Sequence, residues 1–130
     1  MSGSEFLLDT NTVIELLKGV PEVKALHDSR LVGGNLFVSQ ITRMEILSFP
    51  GIQPDEEQRV LAFLDRVGVL PLSDDVEANA VLLRRRHRMK LPDAIILATA
   101  ACHGLTLVTR DDALTRKASG VVPCLTSAKS

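Results

Sequence analysis

Three carboxylates lie inside apolar segments. Asp9 follows Phe6-Leu7-Leu8, Glu45 sits within Met44-Glu45-Ile46-Leu47, and Asp93 sits within Leu91-Pro92-Asp93-Ala94-Ile95-Ile96-Leu97. Asp111 and Asp112 follow a further apolar run, Leu105-Thr106-Leu107-Val108-Thr109. An ionised carboxylate is costly to desolvate unless it is paired or bound to metal. No Lys or Arg lies within three residues of Asp9. Acids gathered in one place repel one another without a counter-cation. Oxygen-only donors suit a hard cation such as Mg²⁺ or Mn²⁺, which takes few protein oxygens and keeps its waters. Each acid also has a plainer explanation. Asp9 caps a helix beginning at Thr12, Asp93 favours a helix dipole, Glu45 pairs with Arg43, and Asp111 or Asp112 caps the next helix.

What decides between these explanations is whether the intervening elements bring the acids together. Short apolar runs alternate with helical patterns along the chain. Strands are expected at Phe6–Leu8, Leu36–Val38, Val69–Leu72 and Leu105–Thr109, with an edge strand at Val121–Cys124, because proline is confined to sheet edges. Helices are expected over Thr12–Lys18, about Glu22–Ser29, from the Ser39 cap to Leu47, and over Asp55–Val67. Three more should run from Ser73 or Asp74 to near Arg88, over Asp93–His103, and after Asp111. Continuously apolar strands separated by helices indicate parallel strands covered on both faces. The expected fold is therefore α/β: a three-layer α/β/α sandwich with a mainly parallel sheet. In such a sheet, ligands bind beyond the carboxyl ends of the strands, where Asp9 and Asp111 both fall.

Composition narrows the function classes. The 130 residues suit one domain, expected over residues 5–125, with flexible termini at 1–4 and 126–130. Fifteen Lys and Arg against sixteen Asp and Glu leave a net charge of −1, which excludes nucleic-acid binding through bulk positive charge. Four Phe, with neither Trp nor Tyr, argue against a base-stacking platform. Two cysteines, Cys102 and Cys124, are too few for a disulfide framework or a Cys-based metal site. No apolar run reaches the ~18 residues of a membrane span. No signal peptide is recognisable, so a cytoplasmic protein is expected.

The segments Leu8-Asp9-Thr10-Asn11, Ser39-Gln40-Ile41-Thr42-Arg43-Met44-Glu45-Ile46-Leu47, Leu91-Pro92-Asp93-Ala94-Ile95-Ile96-Leu97-Ala98-Thr99-Ala100 and Leu107-Val108-Thr109-Arg110-Asp111 occur in that order. Together they resemble a PIN domain, and most of all the VapC-type toxin ribonucleases of toxin–antitoxin pairs. The likeness runs from Phe6 to about Cys124. It implies a catalytic and metal-binding set of Asp9, Glu45, Asp93 and Asp111, supported by Thr10, Asn11 and Thr109. Asp112 is an alternative or partner to Asp111, and Leu114 stands where the family usually has Phe. The implied activity is divalent-metal-dependent endoribonuclease cleavage. The implied partners are an RNA substrate, a cognate antitoxin that occludes the acid pocket, and a second copy of the chain.

The strong basic run Arg84-Arg85-Arg86-His87-Arg88-Met89-Lys90 lies just before Asp93. It reads either as a phosphate contact or as the solvated end of a helix. Arg110 and Arg116-Lys117 are lesser RNA-binding candidates. A rival enzyme reading is a haloacid-dehalogenase-like phosphatase with Asp9 as nucleophile, although Asn11 stands where that chemistry needs an acid. A rival of another class is a PIN-like binding module that has lost its metal.

Overall fold

The computed structural model describes residues 5–126. The expected flexible termini lie outside the described residues, apart from Thr126. The elements alternate as the apolar runs require. They are β1 (Glu5–Leu8), α1 (Thr10–Leu17), α2 (Pro21–Leu26), a π-helical turn (His27–Leu31), β2 (Asn35–Ser39), α3 (Gln40–Leu47) and α4 (Pro54–Leu64). There follow β3 (Gly68–Leu70), α5 (Asp74–His87), α6 (Leu91–His103), β4 (Thr106–Val108), α7 (Asp112–Ala118) and β5 (Cys124–Leu125).

The five strands form one sheet in the order β3-β2-β1-β4-β5, and every neighbouring pair is parallel. Side chains alternate across it with the period of two that a pleated strand imposes. Leu7 and Leu107 enter one core with Val76, Ala80 and Leu83 of α5 and Ala94 to Ala98 of α6. Phe6, Leu8, Val38 and Val108 enter the other, with Val13 of α1, Leu26 of α2, Ile46 of α3 and Val60 and Leu64 of α4. Two separate cores, one on each face, make the three-layer sandwich. Aliphatic side chains fill both almost alone, as the shortage of aromatics demanded.

Differences from the expected elements are small and have physical causes. Helix α1 starts at Thr10 rather than Thr12, because Asp9 has extended backbone and caps from one residue before the helix. The second helix gives way after Leu26 to the π-helical turn. Helix α4 ends at Leu64, and Val67 belongs to the connection into β3. The edge strand begins after Pro123, whose carbonyl accepts from Leu107 N (2.9 Å), because proline has no N–H for the ladder. The expected caps at Ser39 and Ser73 are present, accepting from Ile41 N and Val76 N. Among the described residues no helix is long and apolar enough to cross a membrane.

The outer pair β2–β3 sets Gly68 beside Phe37 in register. A Cβ at Gly68 would lie 2.5 Å from Phe37 Cδ1, closer than real Cβ contacts come. Gly68→Ala is expected to destabilise the protein by about 1–3 kcal/mol through overpacking. Trimming the ring with Phe37→Val should remove most of that increment in a double-mutant cycle. Chemical denaturation checks this, and additive effects would show that the ring simply moves aside.

Candidate active site

The sheet order reverses around β1, whose neighbours β2 and β4 lead to opposite edges. At such a switch point the connections leave on both faces and open a crevice at the carboxyl ends of the strands. Leu8 of β1 pairs with Val108 of β4, so Asp9 and Thr109 come next on adjacent strands. Asp9 N donates to Val108 O (3.1 Å), which binds the two strand ends together.

Asp9 is only 5 % exposed. One carboxylate oxygen accepts from Thr12 N (2.9 Å) and the other from Thr109 Oγ1 (2.5 Å). Asp9 is therefore the cap of α1, and the same carboxylate is tied through Thr109 to the turn that carries Asp111. Burial pushes its carboxyl above the usual aspartate value. The hydrogen bonds from Thr109 and Thr12 oppose that rise, and the charge of Asp111 adds to it.

Thr109 is buried and works in both directions, since its hydroxyl also accepts from Asp111 N (3.1 Å). Asp111 caps α7 by accepting from Leu114 N (3.1 Å) and is exposed. Glu45 lies on α3, which follows directly from β2. Its Oε1 accepts from Thr10 Oγ1 (2.7 Å), and Thr10 Oγ1 meets the hydroxyl of the buried Thr42 (2.9 Å). Asp93 stands in the first turn of α6, after Pro92. Burial raises its carboxyl above the usual range, and so do, in decreasing order, the charges of Asp111, Asp9 and Glu45, while Lys90 alone opposes them.

Asp9 and Asp111 thus meet through Thr109 at the carboxyl ends of β1 and β4, and Asp93 feels the charges of Asp111, Asp9 and Glu45. The donors are all hard oxygens with a single weakly opposing lysine, a composition that fits a hard divalent cation. Among the described residues no three His, Cys, Asp or Glu side chains form a ready-made ligand group.

The other candidate residues fall in different surroundings. Asn11 is exposed on α1 and lines a cleft of ≈ 580 Å³ with Ile14, Glu15, Arg110, Asp111, Asp112 and Ala113. Arg84, Arg85, Arg86, Arg88 and Lys90 are exposed at the end of α5 and the turn into α6. Arg88 adopts φ 54°, ending α5 in the left-handed region without a glycine. Arg110 differs from this group. Its side chain is 13 % exposed and pairs with Glu15 (3.1 Å) and Glu22 (3.4 Å), so its terminal nitrogens are engaged within the protein. Sequence reasoning did not single out Thr42, Glu15 or Glu22. Thr42 lay within a quoted motif, three residues before Glu45 and so on the same helix face, which was the available signal.

Fold and site together define an α/β protein with an acid crevice at the switch point of a five-stranded parallel sheet. The chain belongs to the PIN domain family, whose profile matches residues 6–120. It is similar to a chain of a toxin–antitoxin complex from Klebsiella pneumoniae, with 35% identity over 92% of this chain and 95% of the other and a TM-score of 0.77. DNA-bound VapBC from Salmonella typhimurium gives 25% identity, coverage of 94% and 97%, and a TM-score of 0.72. VapBC2 from Rickettsia felis, bound to a DNA fragment from its promoter, shares the fold with 16% identity, coverage of 95% and 99%, and a TM-score of 0.80. No curated protein matches the chain. Membership of the PIN family displaces the phosphatase reading of Asp9.

The raised carboxyl of Asp93 has a consequence for stability. The native state holds this proton more tightly than the unfolded chain, so ionisation costs folding free energy. The penalty is absent below the ordinary aspartate pKa of about 4, grows as pH rises toward the native value, and is complete above it. Asp93→Asn should therefore raise Tm at pH 7 in the presence of EDTA, with the gain shrinking toward pH 3. Thermal melts across that range check the sign; a lower Tm at pH 7 would mean that the repulsion is negligible.

Proposed function

We propose that this chain is a divalent-metal-dependent endoribonuclease and the toxin of a toxin–antitoxin pair. The observation that carries the reading is the acid group of a PIN domain, in which Thr109 joins Asp9 to Asp111 at the strand ends and Thr10, next to Asp9, holds Glu45. A bound Mg²⁺ or Mn²⁺ supplies an acidified water, neutralises phosphoryl oxygens and stabilises the leaving oxygen. Asp9, Glu45 and Asp93 would hold the ion, directly or through water. Asp9 is fixed by Thr12 and Thr109, and Glu45 by Thr10 with Thr42 behind it, so neither carboxylate has to be ordered when substrate arrives. Asp111, with Asp112 next to it, would orient the attacking water, and Asn11 is exposed nearby to meet substrate.

Arg84, Arg85, Arg86, Arg88 and Lys90 would hold the RNA backbone. They lie on the segment that leads directly into Asp93, and phosphate contacts of this kind position a strand without reading its sequence. Arg110 is left out of that role because of its two glutamate partners. Because water attacks rather than the ribose 2′-hydroxyl, the products are a 5′-phosphate and a 3′-hydroxyl.

The antitoxin partner rests on the similarity to toxin–antitoxin chains. An apolar groove of ≈ 240 Å³ between α1, α3 and α4, lined by Leu17, Ile46, Phe49, Ile52 and Val60, suits the apolar face of a peptide segment. The reading includes a homodimer, for which the exposed Val81, Leu82 and Leu91 offer apolar surface, and places the protein in the cytoplasm with its RNA.

RNA cleavage with and without EDTA, next to an Asp9→Asn variant, tests the proposal. Either change should lower kcat/KM by about 100-fold or more. Activity indifferent to both would overturn it, and a wild-type protein that binds RNA without cutting would favour the binding module. A 2′,3′-cyclic phosphate end would refute attack by water. Millimolar Mg²⁺ or Mn²⁺ should also raise Tm, because an ion that binds only the native state stabilises it by mass action.

A further inference from the structure

We infer that Arg110 is a positioning residue for the acid site, acting by fastening the β4–α7 turn to α1 and α2. This rests on the nuclease reading for its catalytic consequence but not for its structural one. In the turn Thr109-Arg110-Asp111, Asp111 has extended backbone (φ −83°, ψ 112°) and caps α7. Thr109 and Asp111 face the acid crevice, where Thr109 Oγ1 donates to Asp9 and accepts from Asp111 N. Arg110 is bonded instead to the helices beside the turn. One terminal nitrogen donates to Glu15 Oε2 on α1 (3.1 Å) and the second to Glu22 Oε2 on α2 (3.4 Å).

The chemistry needs arginine. A planar guanidinium offers two divergent terminal nitrogens to carboxylates on different helices, whereas a lysine ammonium is a point charge on a flexible stem. The fork is 13 % exposed and its Nε is buried without a hydrogen-bond partner. A buried donor is normally satisfied, so this guanidinium reaches both glutamates at a cost to itself. The partners lie 95 and 88 residues away along the chain. The ion pairs therefore join the turn that carries Thr109 and Asp111 to the helix that Asp9 caps. The same geometry commits the terminal nitrogens of the only cation on the turn to Glu15 and Glu22 rather than to Asp111.

Amide hydrogen exchange on the full chain, together with RNA-cleavage kinetics, tests the inference. In Arg110→Ala, exchange at Thr12, Asp111 and Leu114, whose N–H groups bond within the site, should speed up by about ten-fold or more while α5 amides keep their rates. In the same variant kcat should fall by about ten-fold or more with KM changed less than about three-fold, because positioning is lost and RNA contact is not. Arg110→Lys should recover part of kcat, and the double variant Glu15→Gln with Glu22→Gln should reproduce the Ala pattern. Unchanged exchange at the three amides would overturn the inference. So would a KM increase with a shallower salt dependence and intact kcat, which would assign Arg110 to RNA binding. If Arg110→Ala does not fold, Arg110→Lys and Glu22→Gln carry the same measurements. If the wild type cleaves no RNA, the nuclease reading fails while the exchange result still decides the role of the arginine.

Discussion

The physical problem at the centre of this protein is a set of like charges gathered at the ends of two adjacent strands. Asp9 and Asp93 are both pushed toward their protonated forms by burial and by acidic neighbours. A fold that merely needed stability would place apolar or paired residues there, because unpaired charges in partly desolvated sites are costly. Asp9, Glu45 and Asp111 are held by local hydrogen bonds, and Asp93 has the charge of Lys90 to oppose its acidic neighbours. The Thr12 N–H and the Thr109 hydroxyl hold Asp9, a threonine holds Glu45, and Arg110 on the β4–α7 turn is paired with Glu15 and Glu22. The remaining imbalance is what makes a divalent ion a physically sensible occupant.

The sheet exists to create that meeting point. Switching strand order around β1 leaves a crevice where one face hands over to the other. Asp9 and Thr109 arrive there from register alone, and Glu45 and Asp93 arrive on helices that leave or pack against the same strands. Threonines carry much of the local order. Thr109 couples Asp9 to Asp111, while Thr42 and Thr10 form a hydroxyl chain ending on Glu45. A hydroxyl suits this work because it donates to a carboxylate while accepting from something else, and it adds no charge to an already charged site.

Arg110 shows how the two helical layers contribute differently. Helices α5 and α6 bury apolar surface and deliver Asp93 with the exposed basic run in front of it. Helices α1 and α2 also anchor, through Glu15 and Glu22, the turn that carries Asp111. The two layers thereby hold opposite sides of one crevice, and the sheet between them fixes the spacing.

The sequence by itself determined the fold class and nominated the acids. Continuous apolar runs and helical apolar patterns are local, and a carboxylate within an apolar run stands out without any knowledge of its neighbours. Caps at Ser39, Ser73 and Asp111 were legible for the same reason. Only the tertiary structure decided what each polar group faces. Arg110 read as a free cation because the glutamates that bind it lie most of the chain away, and Thr42 passed unremarked because its value depends on a hydroxyl 32 residues earlier. Hydrophobic periodicity is written in adjacent residues, whereas a pairing across the fold exists only after the chain has closed on itself.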